Sequence, residues 1–200
     1  MVSMESEMTD ILFDLEGDFL PEGYVFALWK EIVRILPRLE EWPHAGMLPL
    51  KGSASGQGLL LPRRAKLALR IPMDFSAEAL ELSGKTLDIG GCSIRTGKGG
   101  KRPIEAYPTL HAHFVESDRE ETDFLGDVAG KLDEMGITGK SICGRHQIMS
   151  CGNERLSGYS LVVHDLKPAG SIRLQHFGLG KYRHFGCGQF VPHKTISGLE

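Results

Sequence analysis

The sequence has no apolar run long enough to cross a bilayer, which takes about 20 consecutive apolar residues. Its first ten residues hold three acids and no base, the reverse of the positive flank that opens a secretory signal. The expected location is therefore cytoplasmic. Cysteine is sparse: Cys92, Cys143, Cys151 and Cys187 in 200 residues fit reduced thiols better than a disulfide framework. Cys143, His146 and Cys151 match no paired CxxC spacing and lack a fourth ligand. No metal and no cofactor are expected.

A strong net charge is also missing. The total is −3, which by itself speaks weakly against a nucleic-acid binder. Divided along the chain, however, residues 1–50 carry 3 bases and 10 acids, 51–104 carry 10 and 4, 105–138 carry 2 and 9, and 139–200 carry 8 and 3. The blocks alternate as −7, +6, −7 and +5, so a folded surface can present a basic face that attracts phosphate despite the negative total. What is present, 41% hydrophobic residues and 25 glycines, suits a folded protein with many tight turns.

Ile11, Phe13 and Leu15 alternate with polar neighbours and predict a first strand ending at Gly17. Val25, Leu28, Trp29, Ile32, Ile35, Leu36 and Leu39 recur at three- and four-residue steps and predict an amphipathic helix, with Pro37 near its end. Residues 41–58 read as a loop. Residues 65–71 read as a half-buried strand with Lys66 and Arg70 on a basic outer face, followed by a short helix at 76–82. Gly90-Gly91 marks a hairpin between residues 85–89 and 92–96, and the run at 97–103 (GKGGKRP) reads as a flexible linker or basic loop. The pattern then restarts: a strand at 109–116, a helix at about 122–135 stopped by Gly136 and burying Leu125, Val128 and Leu132, strands at 140–149 and 155–165, and a helix at 168–177 closed by Gly178. The expected fold class is α+β, two tandem ferredoxin-like (RRM-like) domains at 1–100 and 101–200, the second with a C-terminal glycine-rich loop.

That loop is the most informative stretch. Gly178, Gly180, Gly186 and Gly188 expose N–H groups that can form an anion-binding nest. Lys181, Arg183 and His184 supply donors and charge for phosphates, and Tyr182 or Phe185 can stack on a base. A glycine hairpin with solvated bases is the plainer alternative.

The run from Arg173 to Gly180, leading into Gly186-Cys187-Gly188-Gln189-Phe190-Val191-Pro192, resembles the C-terminal signature of the repeat-cleaving CRISPR endoribonucleases, the Cas six family within the repeat-associated RNA-binding superfamily. It is most similar to the Myxococcus-subtype branch. Looser likeness extends over residues 10–17, 24–39, 50–52, 84–90 and 158–163, nearly the whole chain in order and spacing. The resemblance implies paired ferredoxin-like domains and metal-independent cleavage of precursor RNA at the base of a CRISPR repeat hairpin. It also implies retention on the processed guide RNA, with other CRISPR-associated effector subunits assembling around it in a Cascade-type complex.

RNA carries its own nucleophile, the 2′-hydroxyl, whose attack leaves a 2′,3′-cyclic phosphate and a 5′-hydroxyl. The protein must accept and return a proton and stabilise the phosphorane. The family supplies its catalytic histidine from the loop after the first helix, which selects His44, with Lys51 to stabilise charge. The chain departs from the branch at one position: Leu48 stands before Pro49, where a histidine is expected. His111 and His113 share a strand face and form either a paired acid and base or a solvated edge. Lys98, Lys101, Arg102, Arg145 and Arg155 are further expected phosphate partners. Two other readings stand beside the nuclease: a catalytically inactive subunit that binds the guide-RNA hairpin, and a ferredoxin-like module for a small ligand or protein.

Overall fold

The alternation at residues 11–15 forms the centre of a sheet. The computed structural model describes residues 6–193; the outer ends of the two expected domain spans lie outside the described residues. Strand β1 (Met8–Glu16) buries Ile11, Phe13 and Leu15 on one face. The chain continues through β2 (Phe19–Pro21), α1 (Tyr24–Ile35), β3 (Gly46–Met47), β4 (Ser53–Ser55), β5 (Gly58–Leu60), β6 (Lys66–Pro72), α2 (Ser76–Ala79), β7 (Thr86–Ile89) and β8 (Cys92–Arg102). These elements belong to a first unit made of residues 6–104, 148–156 and 182–186. Its main sheet has the order β3-β6-β1-β8-β7, with β1 antiparallel to both β6 and β8. A ferredoxin-like sheet places its first strand between its third and fourth in this way; β7 is an extra edge strand, paired with β8. Strands β2, β5 and β4 form a separate small sheet.

The second unit comprises residues 105–147, 157–181 and 187–193. It carries β9 (Leu110–Glu116), α3 (Glu121–Glu134), α4 (Pro168–Phe177) and β12 (Val191–Pro192), with most of the long hairpin strands β10 (Lys140–Cys151) and β11 (Glu154–His164). The order β10-β11-β9-β12 is the same ferredoxin-like arrangement without an addition. Each unit has its own core: Leu28, Ile32, Leu36 and Leu39 meet the β1 and β6 aliphatics in the first, while Phe124, Val128, Leu132 and Leu174 meet the β9 and β11 side chains in the second. Leu125 is half-buried; Phe124 is the third buried residue of α3. Among the described residues no helix is long and apolar enough to cross a membrane.

Three local expectations are corrected. The run at 97–103 is no linker: β8 continues to Arg102, pairing Gly99 with Phe13 and Lys101 with Ile11. Its glycines make room for packing, since a Cβ on Gly99 would come within 2.6 Å of the Phe13 ring and 2.8 Å of Leu80. The expected loop at 41–58 contains β3 and β4. Arg70 is not on a basic outer face. It is 1% exposed and holds Asp10, with Nε 2.8 Å from Oδ1 and Nη2 3.1 Å from Oδ2. Arg102 Nη2 donates to the same carboxylate at 2.9 Å. Gly46, Arg70, Asp10 and Arg102 are in register across β3, β6, β1 and β8, so a buried charge-assisted network fixes how four strands align. Lys66 alone matches the outer-face expectation; it is exposed and pairs with Asp14.

Candidate functional site

His44 sits in a tight turn that the glycine-rich loop grips. After α1 the chain makes a 3-10 turn (Pro37–Glu41), and the Ala45 N–H then donates to the Trp42 carbonyl at 3.0 Å. That bond closes a β-turn over Trp42-Pro43-His44-Ala45. Proline suits its second position because its ring presets φ, and His44 takes the third position, half-buried. Two consecutive residues of the loop hold this turn. Arg183 Nε donates to the Pro43 carbonyl at 3.4 Å, and His184 Nε2 lies 3.1 Å from the Trp42 carbonyl. A carbonyl only accepts, so Nε2 carries the proton. The His184 ring also stacks on Trp29 of α1, with centroids 4.8 Å apart and planes at 14°.

Glycine permits this approach from both sides. A Cβ on Gly46 would overlap the Arg183 carbonyl, and one on Gly186 would lie 3.1 Å from the Met47 carbonyl. All these residues belong to the first unit. Burial lowers the pKa of the Arg183 guanidinium from its ordinary value. An arginine stays charged in a protein, so a half-desolvated cation stands beside the turn, where its attraction for a phosphate is less screened than in open water.

The other sequence candidates fall as follows. Lys51 is exposed, four residues beyond β3. Leu48, at the position where the resemblance leads one to expect a histidine, is buried, and its N–H donates to the Ala68 carbonyl. Lys98 and Lys101 are exposed on β8, while Arg102 is engaged by Asp10. Arg145 on β10 and Arg155 on β11 are exposed, as is Lys181. Tyr182 adopts a left-handed φ of 61°. Three of the four glycine amides turn inward instead of forming a nest. Gly178 donates to Leu174, Gly186 to Arg183 and Gly188 to Phe114, while Gly180, at φ 74°, lies against Val115.

His111 and His113 stand together on β9 with ring centroids 4.2 Å apart, and His193, which sequence reading missed, adds a third imidazole 5.6 Å from His111. Burial first, then the charges of His113 and His193, push His111 down to about 4. At neutral pH it is a neutral, weak base, poorly matched to donate a proton. Cys143 packs half-buried against the core of the second unit, and Cys151 is buried in the first. Sequence reading also missed Phe26, Trp29 and Trp42 as neighbours of the loop. Their contacts join residues more than 140 positions apart, for which no local pattern exists.

The Cas6 family model, described as Cas6 Crispr, matches residues 9–195. A CRISPR-associated endonuclease Cas6 from Myxococcus xanthus is 30% identical over 185 residues, covering 92% of this chain and 80% of that protein. Two solved structures share the fold at low identity. One is a Cas6-related protein from Pyrococcus furiosus, with TM-score 0.66 and 13% identity over 92% of this chain and 98% of that one. The other is described as a RAMP protein binding different RNA substrates, with TM-score 0.67 and 14% identity over 91% and 98%. The chain belongs to the Cas6 family of CRISPR-associated proteins.

Proposed function

We propose that this protein binds the hairpin of a CRISPR repeat transcript and cleaves it, without a metal ion, into guide RNA. The reaction is transesterification: the 2′-oxygen attacks the adjacent phosphorus, its proton passes to a base, and the 5′-oxygen leaves with a proton, giving a 2′,3′-cyclic phosphate and a 5′-hydroxyl. His44 is the proton-transfer group, Lys51 stabilises charge on the phosphorane, and Lys98, Lys101, Arg145, Arg155, Lys181 and Arg183 hold phosphates. After cleavage the protein stays on the RNA in the cytoplasm as a subunit of a guide-RNA effector complex. The observation that carries this reading is the grip of Arg183 and His184 on the turn that presents His44. One loop thereby couples a half-desolvated cation to an imidazole, the side-chain type suited to proton transfer near neutral pH.

The test is single-turnover cleavage of the cognate repeat RNA in EDTA. The expected product ends in a cyclic phosphate, and His44→Ala retains binding while cutting at least a hundredfold more slowly. Unchanged cleavage by His44→Ala removes it from the chemistry. Tight binding with no product from the wild-type protein supports the RNA-holding alternative.

A further inference from the structure

Beside the His44 turn, the first unit carries a row of aromatic rings that the proposed chemistry does not use: Phe26 and Tyr182 are exposed, and Phe185 packs with one side against the core. Phe26, in the first turns of α1, is 44% exposed, and Tyr182 is 36% exposed. Between them stands the half-buried Phe185. Its ring centroid lies 6.0 Å from that of Phe26, at 52°, and 6.3 Å from that of Tyr182, at 19°. Scattered exposed aromatics are ordinary, but a contiguous set bordered by cations marks a binding surface.

The backbone maintains this row at a cost. Tyr182 is one of two non-glycine residues with positive φ among the described residues, a conformation that costs on the order of 1–3 kcal/mol and collects at ligand sites. It sets the phenol ring nearly parallel to Phe185 instead of folding it into the core. In the order Tyr182-Arg183-His184-Phe185 two aromatic rings bracket an arginine, a combination that serves a single strand: bases stack while a phosphate pairs. Protein interfaces are depleted in lysine, and the exposed Lys181 directly precedes Tyr182 in the chain, which favours a nucleic-acid partner.

We infer that Tyr182, Phe185 and Phe26 form a stacking surface for an unpaired nucleobase of the RNA, next to the turn that presents His44. This rests on the proposed RNA cleavage and adds a specificity element to it: the surface selects for a base that is unstacked where it meets the loop. A fully paired stem offers no such base. Stacking tolerates any of the four bases, so the selection is for strand flexibility over sequence.

The experiment pairs the variants Tyr182→Ala, Phe26→Ala and Tyr182→Phe with an abasic scan of the repeat RNA, one nucleotide at a time, reading Kd and single-turnover cleavage. Both alanine sites are exposed, and a urea melt confirms that the variants fold. Tyr182→Ala is expected to weaken binding of intact RNA by roughly 5- to 150-fold, the range of one base–aromatic stack. It should have no further effect on RNA that is abasic at one particular position. Tyr182→Phe restores that coupling, and 2-aminopurine at the same position is quenched by the wild type and not by Tyr182→Ala. Wild-type binding and cleavage with unchanged affinity in both alanine variants overturn the stacking surface and leave the nuclease reading intact. Equal weakening at every abasic position overturns it as well, since that is loss of general affinity. Wild-type protein that neither binds nor cuts repeat RNA removes the nuclease reading and the stacking surface with it.

Discussion

Gly46→Ala tests whether the grip on the His44 turn matters. A methyl group there runs into the Arg183 carbonyl, a backbone atom that cannot swing aside as a side-chain end can. Overpacking by a methylene costs typically about 1–3 kcal/mol, and overlap with backbone sits at or above the top of that range. The alternative is release of the loop. Release forfeits the bond from His184 to Trp42, worth about 1 kcal/mol, and the long bond from Arg183 to Pro43, worth less. It also forfeits the His184–Trp29 stack, worth about 0.5–1.5 kcal/mol. The loop therefore lets go, at about 2–3 kcal/mol, because that is cheaper than keeping the overlap. The urea midpoint should fall accordingly, and Tm should drop by roughly 4–12 °C for a chain of this size. His44 then loses its fixed turn, and misplacement of a reacting group by about 1 Å costs on the order of a hundredfold in rate. The control is Gly126→Ala in α3, where nothing lies within 4 Å of the new methyl. A helical glycine replaced by alanine should gain about 0.5–1 kcal/mol, with cleavage unchanged. Wild-type stability and wild-type cleavage in Gly46→Ala would refute the reasoning.

Asp10→Ala removes the carboxylate that pairs with the buried Arg70 guanidinium and should destabilise by about 3–5 kcal/mol, whereas Arg102→Ala, half-exposed at its side chain, should cost under about 1 kcal/mol; urea unfolding of the two checks the contrast, and equal losses contradict the buried network. Burial, and after it the charges of His113 and His193, hold the folded His111 pKa near 4, below its ordinary 6.5. The unfolded chain therefore binds a proton that the native state refuses. The stability is fully present above about pH 6.5 and is lost as pH falls toward 4, at no more than about 1.4 kcal/mol per pH unit from this group. His111→Gln should flatten that part of the pH profile, and an imidazole titrating near 6.5 by NMR would contradict it.

Much of the fold was legible because it rests on local periods. The β1 alternation, the α1 stripe, the Gly90-Gly91 hairpin, and Gly136 and Gly178 at helix ends all lie where burial and φ place them. What failed did so where a residue's neighbours on the sheet outweigh its own character. Glycine and lysine at 97–102 read as a linker, yet the Phe13 ring and Leu80 fill the space that side chains would have taken. Arg70 read as solvated because its alternation put it opposite the core; its burial depends on Asp10, 60 positions away, standing directly across the ladder. The turn holding His44 was half legible, since Pro43 suits a β-turn, while its clamp from residues 183 and 184 was not.

The glycine-rich loop shows how the geometry can reassign the part its glycines play. Reading its glycines as an anion nest assumed that their amides face outward. Three of them donate inward instead, and Gly186 and Gly188 allow backbone to approach Met47 and Leu179. If the loop binds RNA as proposed, with three of its glycine amides spent on its own fold, its affinity comes mainly from the side chains between the glycines. His184 is committed to Trp29 and Trp42 and Arg183 is held to Pro43, so in the proposed RNA binding the stacking within residues 182–186 is assigned to Tyr182 and Phe185. Losing a solvated lysine such as Lys98 should then lower affinity modestly and reduce the salt slope by about one charge. Losing Tyr182 should lower affinity with the salt slope unchanged. That difference in salt response separates phosphate attraction from base stacking, and a Tyr182→Ala variant whose loss vanishes at high salt would return the loop to a purely electrostatic role.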